Sequence, residues 1–308
     1  MPSFEKNPEL EDPALYVAEK GLSDAVNVAL TLGQPLLITG EPGTGKTQLA
    51  SSIAYELNLP RPLVFRAKTT SSARDVFYRY DALGNFHDAQ FRKEAANIES
   101  YITYEALGLA ILLSMNPEEA NPNLPQRLRD KGPIRPVVLI DEIDKAPRDL
   151  PNDVLDEIEN MSFTVKETGR IFSADNAYRP ILVLTSNSEK NLPDAFLRRC
   201  VFYHISFPEK ERLEEIIRRR LKLDSGFAPQ MLSSAIRRFE VIRELALKKK
   251  PATAEVLAWI RILEKLHIDV GNLRPGEAET LAFTYSILAK NKEDRDMLLR
   301  AFLEEKVP

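Results

Sequence analysis

The sequence predicts an α/β domain, in which helices cover both faces of a parallel sheet, followed by an all-helical domain. Short, almost wholly apolar runs alternate with helical patterns up to residue 208, which is typical of parallel strands buried on both faces. After Pro208 the strand signals stop and only helical patterns follow. We therefore expect a core domain over residues 1–208 and a helical domain over residues 209–308.

The composition indicates a soluble globular protein. Of the 308 residues, 44% are hydrophobic and 29% are charged, and the net charge of -4 at pH 7 argues against an obligate nucleic-acid-binding protein. The single cysteine, Cys200, cannot form an internal disulfide. The polar residues 1–13 lack the apolar segment of a signal peptide, and the longest apolar stretch, residues 106–115, is too short to cross a bilayer. These features favour a cytoplasmic protein.

The first domain opens with an amphipathic pattern that predicts a helix over residues 14–32, ended by Gly33. A second helix is predicted over residues 46–57, after the first strand and a glycine-rich turn. The predicted strands are PLLITG (35–40), PLVFRA (62–67), PVVLIDE (136–142), PILVLTS (180–186) and VFYHISF (201–207). In the second domain, helices are predicted over residues 209–223, 229–249, 253–266 and 275–290.

Two stretches interrupt this alternation and are expected to be insertions into the core domain. Residues 69–92 are polar and aromatic, with a turn signal at the Leu-Gly-Asn of residues 83–85. Residues 162–179 alternate in polarity around Thr168 and Gly169, which predicts a β-hairpin.

The segment GEPGTGKT (40–47) fits the pattern G-x-x-x-x-G-K-[ST] and lies between a predicted strand and a predicted helix. Gly43 and Gly45 allow successive backbone N–H groups to surround an anion, and the following helix N-terminus adds its positive end. The Lys46 ammonium then contacts the β- and γ-phosphates of a nucleotide, and the Thr47 hydroxyl ligates Mg²⁺. This segment predicts a nucleoside-triphosphate site.

The segment VVLIDEID (137–144) supplies the acidic groups that such a site needs. Its apolar residues are expected to bring Asp141 to the carboxyl end of a buried strand, where it can hold the magnesium ion directly or through water. The adjacent Glu142 can polarise a water molecule towards the γ-phosphate. We interpret Asp144 as a polar loop or capping residue.

Two further segments end in polar groups that suit phosphate chemistry. LVLTSN (182–187) ends in Asn187, which can hydrogen-bond the attacking water or the γ-phosphate, or serve the following turn. LPDAFLRRC (192–200) contains the adjacent arginines Arg198 and Arg199. A guanidinium that contacts the charge developing on the transferred phosphoryl group raises the rate of hydrolysis by about 10³–10⁵-fold in related systems. Cations at a helix end can also be solvated charges that suit the helix dipole.

Together these segments resemble the AAA+ ATPases, and within them the MoxR family. The resemblance covers almost the whole chain, through residues 21–47, VVLIDEIDKA (137–146), FTVKETG (163–169) and LVLTSNSEKNLPDAFLRRC (182–200). It implies a P-loop nucleotide-binding core with an insert at helix 2 and a hairpin before sensor 1, then a helical lid. It also implies ATP and Mg²⁺ as ligands, assembly into a ring that is usually a hexamer, and a partner with a von Willebrand factor A domain.

Residue by residue, the resemblance implies that Asp141 and Glu142 form Walker B and that Asn187 is sensor 1. Arg198 and Arg199 fall at the arginine-finger position, which reaches the γ-phosphate held by a neighbouring protomer. The residues implied to bind the nucleotide are Gly40, Glu41, Pro42, Gly43, Thr44, Gly45, Lys46, Thr47 and Gln48, and those implied to bind the metal are Thr47 and Asp141.

One departure from the family concerns sensor 2, an arginine that relatives often carry early in a lid helix. The matching stretch here, residues 248–261, offers Ala254 or Glu255 at that position and Arg261 two turns later. Either Arg261 substitutes for the missing cation or the lid acts without one.

Two other patterns suggest different partners and have simpler interpretations. The segment NKED (291–294) fits a guanine-recognition pattern, but it follows a helical pattern rather than a buried strand, so we attribute it to chance and favour ATP over GTP. The basic runs 218–220 and 248–250 are interpreted as solvated helix positions, the first with i,i+4 glutamate partners and the second closing a helix, rather than as a nucleic-acid site.

Two classes of function fit these residues. The first is a ring-forming ATPase that remodels or activates a partner protein. The second is a nucleotide-gated scaffold, in which ATP binding builds the ring and slow hydrolysis resets it; a motor subunit of a chelatase- or restriction-type complex is a third interpretation. The groups for hydrolysis are all present, which favours the first. Client specificity is expected within residues 76–92, where the aromatic residues Phe77, Tyr78, Tyr80 and Phe86 cluster.

Overall fold

The computed structural model describes residues 12–91, 97–131, 133–188, 192–223 and 227–303. Parts of four sequence predictions lie outside these residues: the absence of a signal peptide (residues 1–11), the end of the first insertion (residue 92), the segment before the arginine pair (residues 189–191) and parts of the helical domain (residues 224–226 and 304–308). Within the described residues, none of the helices is both long enough and apolar enough to cross a membrane.

The described residues form two compact units. One, which we call the α/β unit, comprises Ala18–Gly40 and Lys46–Ile205. The other, which we call the helical unit, comprises the described residues of Met1–Val17, Glu41–Gly45 and Ser206–Pro308.

The strands all lie in the α/β unit. They are β1 (Leu36–Gly40), β2 (Leu63–Arg66), β3 (Tyr78–Tyr80), β4 (Ile102–Tyr104), β5 (Val137–Asp141), β6 (Ser162–Val165), β7 (Arg170–Ser173), β8 (Ile181–Thr185) and β9 (Val201–Ile205). Among them, β2, β5, β8, β1 and β9 form one sheet in that order, and every pairing in it is parallel. The predicted parallel sheet is therefore confirmed. Strands β1 and β5 are buried along their whole length, which explains their almost wholly apolar sequences.

The helices of the α/β unit are α1 (Lys20–Leu32), α2 (Lys46–Glu56), α3 (Ala82–Phe91), α4 (Ala106–Ser114), α5 (Pro117–Ala120), α6 (Leu150–Asp153), α7 (Leu155–Asn160) and α8 (Asp194–Leu197). The first of them starts later than the predicted residue 14. Glu19 is extended and accepts a hydrogen bond from the Tyr203 hydroxyl on β9, which holds the preceding chain outside the helix. Gly33 ends α1 in the left-handed conformation, as predicted.

The turn predicted at residues 83–85 is wrong, because these residues lie inside α3. The Asp81 carboxylate accepts the Gly84 backbone N–H at 2.8 Å, so it caps the first turn of a helix. The same Asp-x-x-Gly pattern would suit a reverse turn, and the local sequence alone does not separate the two outcomes.

The two insertions pack against each other. Strands β3 and β4 pair antiparallel, and β6 and β7 form the predicted hairpin, with Gly169 in the left-handed region at φ 69°. The Phe77 and Phe163 rings stack with centroids 5.2 Å apart. The Tyr78 hydroxyl donates to Glu167 at 2.8 Å and accepts the Lys166 N–H at 3.0 Å. Phe77 and Tyr78 are therefore core residues, and only part of the aromatic cluster in residues 76–92 faces solvent.

Helix α4 is the apolar stretch that is too short to span a bilayer, and all of its residues are buried. It passes so close to the first insertion that a Cβ on Gly108 would lie 2.0 Å from the Phe77 carbonyl oxygen. A glycine is therefore required at this helical position for steric reasons.

We expect Gly108→Ala to lower the free energy of unfolding by about 3 kcal/mol, since backbone must move to relieve the overlap. Gly169→Ala is the matched control: its Cβ would meet nothing within 4 Å, so only the positive φ is penalised, by about 1 kcal/mol. Urea unfolding of both variants measures the difference. Equal losses of stability would show that α4 does not need the close approach.

The helical unit contains α9 (Lys210–Arg220), α10 (Pro229–Glu244), α11 (Thr253–Leu266), α12 (Glu277–Thr284) and α13 (Lys292–Leu303). Their apolar faces bury Phe239, Trp259 and Tyr285 in one core, where the Trp259 indole N–H donates to the Thr284 hydroxyl at 2.8 Å. The helices α10 and α12 end before residues 249 and 290, their predicted limits.

Two sequence patterns acquire structural roles in the helical unit. The Arg218 and Arg219 guanidiniums pair with Glu214 and Glu215, at 2.6 and 2.9 Å, as the spacing predicts. Residues 248–250, however, follow α10 instead of closing it. The backbone N–H groups of Lys248 and Lys249 donate to Asp294, a buried carboxylate at the start of α13. The NKED segment thus ties a loop to a helix, which supports its interpretation as a chance match.

Candidate nucleotide site

The turn at residues 40–45 joins β1 to α2 and has the backbone conformation that its glycines suggest. Gly43 and Gly45 adopt φ of 81° and 90°, a region that residues with a side chain rarely enter. The Thr44 hydroxyl donates to the Glu41 carbonyl at 2.9 Å, which closes the turn. Helix α2 begins at Lys46, with Thr47 and Gln48 in its first turn, so its N-terminal N–H groups follow the turn directly.

Lys46 connects the start of α2 to the ends of two strands. The residue is 8% exposed, and its ammonium donates to the Gly40 carbonyl at 2.7 Å and to the Asn187 amide oxygen at 3.0 Å. Gly40 ends β1 and Asn187 lies just beyond β8, so these groups meet at the carboxyl edge of the sheet. Ligands bind at this edge in open α/β sheets.

Asp141 and Thr47 present two oxygen atoms side by side at the same edge. Asp141 is the last residue of β5 and is 7% exposed, and the Thr47 hydroxyl donates to its Oδ1 at 3.0 Å. A carboxylate beside a hydroxyl is the hard oxygen donor set that Mg²⁺ prefers. The predicted metal-binding residues therefore lie close enough together to hold one magnesium ion.

Glu142 follows Asp141 in a left-handed backbone conformation, with φ 57° and ψ 49°. Its carboxylate accepts a hydrogen bond from the Lys145 ammonium at 2.6 Å, and this bond raises the pKa of Lys145 above the ordinary lysine value. The ion pair is partly exposed on both sides. Because exposed pairs of this kind contribute little free energy, the carboxylate can exchange this partner for a water molecule.

Two further residues complete the arrangement: Thr185, which sequence reasoning did not select, and Asp144. The Thr185 hydroxyl donates to Asp141 Oδ1 at 2.6 Å and accepts the Glu142 N–H at 2.9 Å. The Asp144 carboxylate accepts the Asn187 N–H at 3.3 Å, which agrees with its interpretation as a polar loop residue. A signal for Thr185 existed in the sequence, since it is a hydroxyl at the end of an apolar strand, adjacent to the Ser-Asn pair.

The two arginines differ in their surroundings. Arg199 donates to the Glu159 carboxylate and to the Ala195 carbonyl, each at 3.0 Å. Arg198 is exposed at the end of α8, and no hydrogen bond or ion pair links its side chain to another described residue. Beside them, burial raises the pKa of the Cys200 thiol to about 12, so this cysteine stays protonated and weakly nucleophilic at neutral pH.

Arg198 and Arg199 lie at the amino edge of the sheet, because they directly precede β9, which runs parallel to β1. The register pairs Leu36 with Val201 and Gly40 with Ile205, so the arginines and the turn at residues 40–45 flank opposite ends of the strands. Five residues of strand span roughly 16 Å. The structure thus brings Lys46, Thr47, Asp141, Glu142 and Asn187 together and leaves both arginines at the far edge.

Within the helical unit, a cation that sequence reasoning missed contacts the turn. Arg243 donates to the Glu41 carboxylate at 3.1 Å and to the Pro251 carbonyl. Arg261, the suggested substitute for sensor 2, pairs instead with the buried carboxylate of Glu264 in its own helix at 2.7 Å. Among the described residues, Arg243 is therefore a basic side chain that contacts this turn, through Glu41.

Residues 35–200, more than half of the chain, match the family described as AAA domain (dynein-related subfamily). No curated protein sequence matches. Among solved structures, a variant of Thermotoga maritima RuvB is similar over 91% of this chain and 80% of its own, with 19% sequence identity and a TM-score of 0.43.

Proposed function

The chain belongs to the dynein-related subfamily of AAA domains, and from this premise we propose that it binds ATP with Mg²⁺ and hydrolyses it within a ring of identical protomers. The fold, a P-loop core with a parallel sheet and a helical region after it, is that of the AAA+ proteins. The proposal concerns the reaction, the assembly and the partner.

In the proposed reaction, the turn at residues 40–45 and the N-terminus of α2 bind the phosphates, with Lys46 on the β- and γ-phosphates. Thr47 and Asp141 would hold the magnesium ion, which would neutralise charge on the phosphates. Glu142 leaves Lys145, orients a water molecule and accepts its proton. As the water oxygen bonds to the γ-phosphorus, the bond from that phosphorus to the β–γ bridging oxygen breaks, and ADP leaves with the bridging oxygen. Asn187, which contacts Lys46 at 3.0 Å, hydrogen-bonds the water or the γ-phosphate.

The location of the arginines supports the ring. Arg198 lies roughly 16 Å from the phosphate-binding edge, beyond the reach of its own side chain, so it cannot serve the nucleotide of its own protomer. The Arg198 guanidinium is exposed and makes no hydrogen bond or ion pair with another described residue. It is therefore suited to binding a phosphate held by a neighbouring protomer. Each site is therefore complete only when a second copy supplies Arg198, and we propose a closed ring, hexameric as in the MoxR family.

Phosphate release from ATP by the purified chain tests this proposal, with the molar mass measured by light scattering with and without nucleotide. We expect Mg²⁺-dependent turnover with ATP, weak turnover with GTP, and assembly that nucleotide promotes. A chain that binds ATP, stays monomeric and releases no phosphate would contradict both the reaction and the ring.

We further propose that the ring acts on a partner protein containing a von Willebrand factor A domain. The exposed apolar side chains of the first insertion support a contact surface there: Leu83 is 82% exposed and Phe86 is 62% exposed, three residues apart on α3. Because Phe77 and Tyr78 are buried, removing all of residues 76–92 would disrupt the core, so single substitutions on α3 are the suitable test.

We expect Phe86→Ser to weaken binding of such a partner by roughly tenfold or more, as for an aromatic residue central to an interface, while basal ATP turnover is unchanged. Phe283→Ser is the matched control, since Phe283 is 79% exposed on α12. Turnover is measured with and without a von Willebrand factor A domain protein from the same source. Slow ATP turnover that is the same with and without the partner would favour the scaffold function instead.

A further inference from the structure

One threonine hydroxyl touches both acidic residues of the candidate site. Thr185 is the last residue of β8 and is 1% exposed. Its hydroxyl donates to Asp141 Oδ1 at 2.6 Å and accepts the backbone N–H of Glu142 at 2.9 Å. A hydroxyl has one donor and two acceptor positions, so it can make both bonds at once. Valine, which has the same shape, can make neither.

The bond to Asp141 fixes the direction of a carboxylate that is proposed to hold the metal ion. Asp141 Oδ1 also accepts from the Thr47 hydroxyl at 3.0 Å, so two hydroxyls from α2 and β8 hold one oxygen atom. Hydrogen bonds to a carboxylate are short and strong, as the 2.6 Å distance indicates. Groups that orient a metal ligand in this way affect metal affinity or activity by roughly 10–100-fold.

The bond to Glu142 secures an unfavourable backbone conformation. At φ 57° and ψ 49°, a residue with a Cβ is strained and adopts this region only where its surroundings require it. The direction of the Glu142 side chain depends on this backbone conformation. A partner for the Glu142 N–H therefore influences where the carboxylate points, although it does not touch the carboxylate.

We propose that Thr185 is a positioning residue that sets the metal-holding carboxylate and the water-orienting carboxylate together through a single hydroxyl. This role rests on the proposed ATP hydrolysis, but the two hydrogen bonds exist in the nucleotide-free protein and can be measured there.

The kinetic test compares Thr185→Val, Thr185→Ser and the control Thr39→Val. Thr39 is also a fully buried threonine, one residue before the end of β1, and its hydroxyl contacts His204 Nδ1 at 2.9 Å instead of an acid. We expect Thr185→Val to lower kcat by about 10–100-fold and to raise the Mg²⁺ concentration needed for half-maximal turnover. Thr185→Ser should restore kcat to within about threefold of the parent, and Thr39→Val should leave it unchanged. If the kcat of Thr185→Val equals that of the parent, the proposed role of Thr185 is wrong.

The second readout is amide hydrogen exchange at Glu142 in the absence of nucleotide. In Thr185→Val the Glu142 N–H loses its partner, and we expect its exchange to be about tenfold faster or more, with Thr185→Ser like the parent. Unchanged exchange in the Val variant would overturn the inference whatever the kinetics. If Thr185→Val does not fold, Thr185→Ala is measured in its place. If the parent protein does not hydrolyse ATP but the Thr185→Val variant shows the expected faster exchange at Glu142, the proposed function is rejected. The role of the Thr185 hydroxyl in holding the Glu142 N–H is then still supported.

Discussion

The Glu142→Gln variant is expected to bind ATP as the parent does and to hydrolyse it roughly 10²- to 10⁴-fold more slowly. The amide keeps the shape of the carboxylate but cannot accept a proton from the attacking water. Lys46, Thr47 and Asp141 keep their hydrogen bonds, so the phosphate and metal positions are preserved. Binding of a fluorescent ATP analogue and single-turnover phosphate release separate the two effects.

Glu157→Gln is the control for this variant, because it removes the same charge from α7, where no role in the reaction is assigned. It should turn over ATP like the parent. Comparable turnover by Glu142→Gln and the parent would show that Glu142 does not activate the water. The hydrolysis-deficient chain, held with ATP, is also the form that should retain a partner protein for longest.

The second large effect is expected for Arg198. Replacing it with alanine should lower kcat by about 10³–10⁵-fold, as for the loss of a guanidinium that stabilises phosphoryl charge, while ATP binding in each protomer is unchanged. Arg199→Ala is the matched control one residue away. Its guanidinium pairs with Glu159 on the same protomer, so its loss should cost far less, within about tenfold.

Mixing two inactive chains tests whether Arg198 acts across a subunit boundary. An Arg198→Ala chain keeps its own Glu142, and a Glu142→Gln chain keeps its own Arg198. In mixed assemblies, sites on the first chain receive the guanidinium from the second, so turnover should reappear although each chain alone is inactive. Mixtures that stay inactive would mean that Arg198 is not supplied in trans. An Arg198→Ala chain that is as fast as the parent would mean that the residue has no role in hydrolysis.

The sheet could be predicted from the sequence because burial on both faces requires an uninterrupted apolar run. Strands β1 and β5 are almost wholly apolar, and they end at Gly40 and Asp141, which belong to the two motifs. Local signals were less decisive where one pattern suits two structures. The Asp81 and Gly84 pattern suits both a turn and a helix cap, and α3 forms because Asp81 caps it.

The candidate site was predictable where chemistry imposes residue types at fixed spacing, as in the turn at residues 40–47. The residues of the candidate site that were not predicted contact it through residues distant in the sequence, so motif spacing could not indicate them. Thr185 meets Asp141 across two adjacent strands, 44 residues apart in the chain. Arg243 meets Glu41 over a separation of 202 residues. Long-range hydrogen bonds of this kind depend on the strand order and on how the helices pack.

The sequence by itself determined the α/β core, the order of its strands along the chain and the residue types of the candidate phosphate and metal groups, because burial and the requirements of a phosphate site each constrain residues close in sequence. Only the tertiary structure decided that both arginines lie at the opposite edge of the sheet, that Arg199 is paired while Arg198 is exposed, and that one threonine joins both acids. These properties depend on parallel register and side-chain packing, which bring together residues that are distant in the chain.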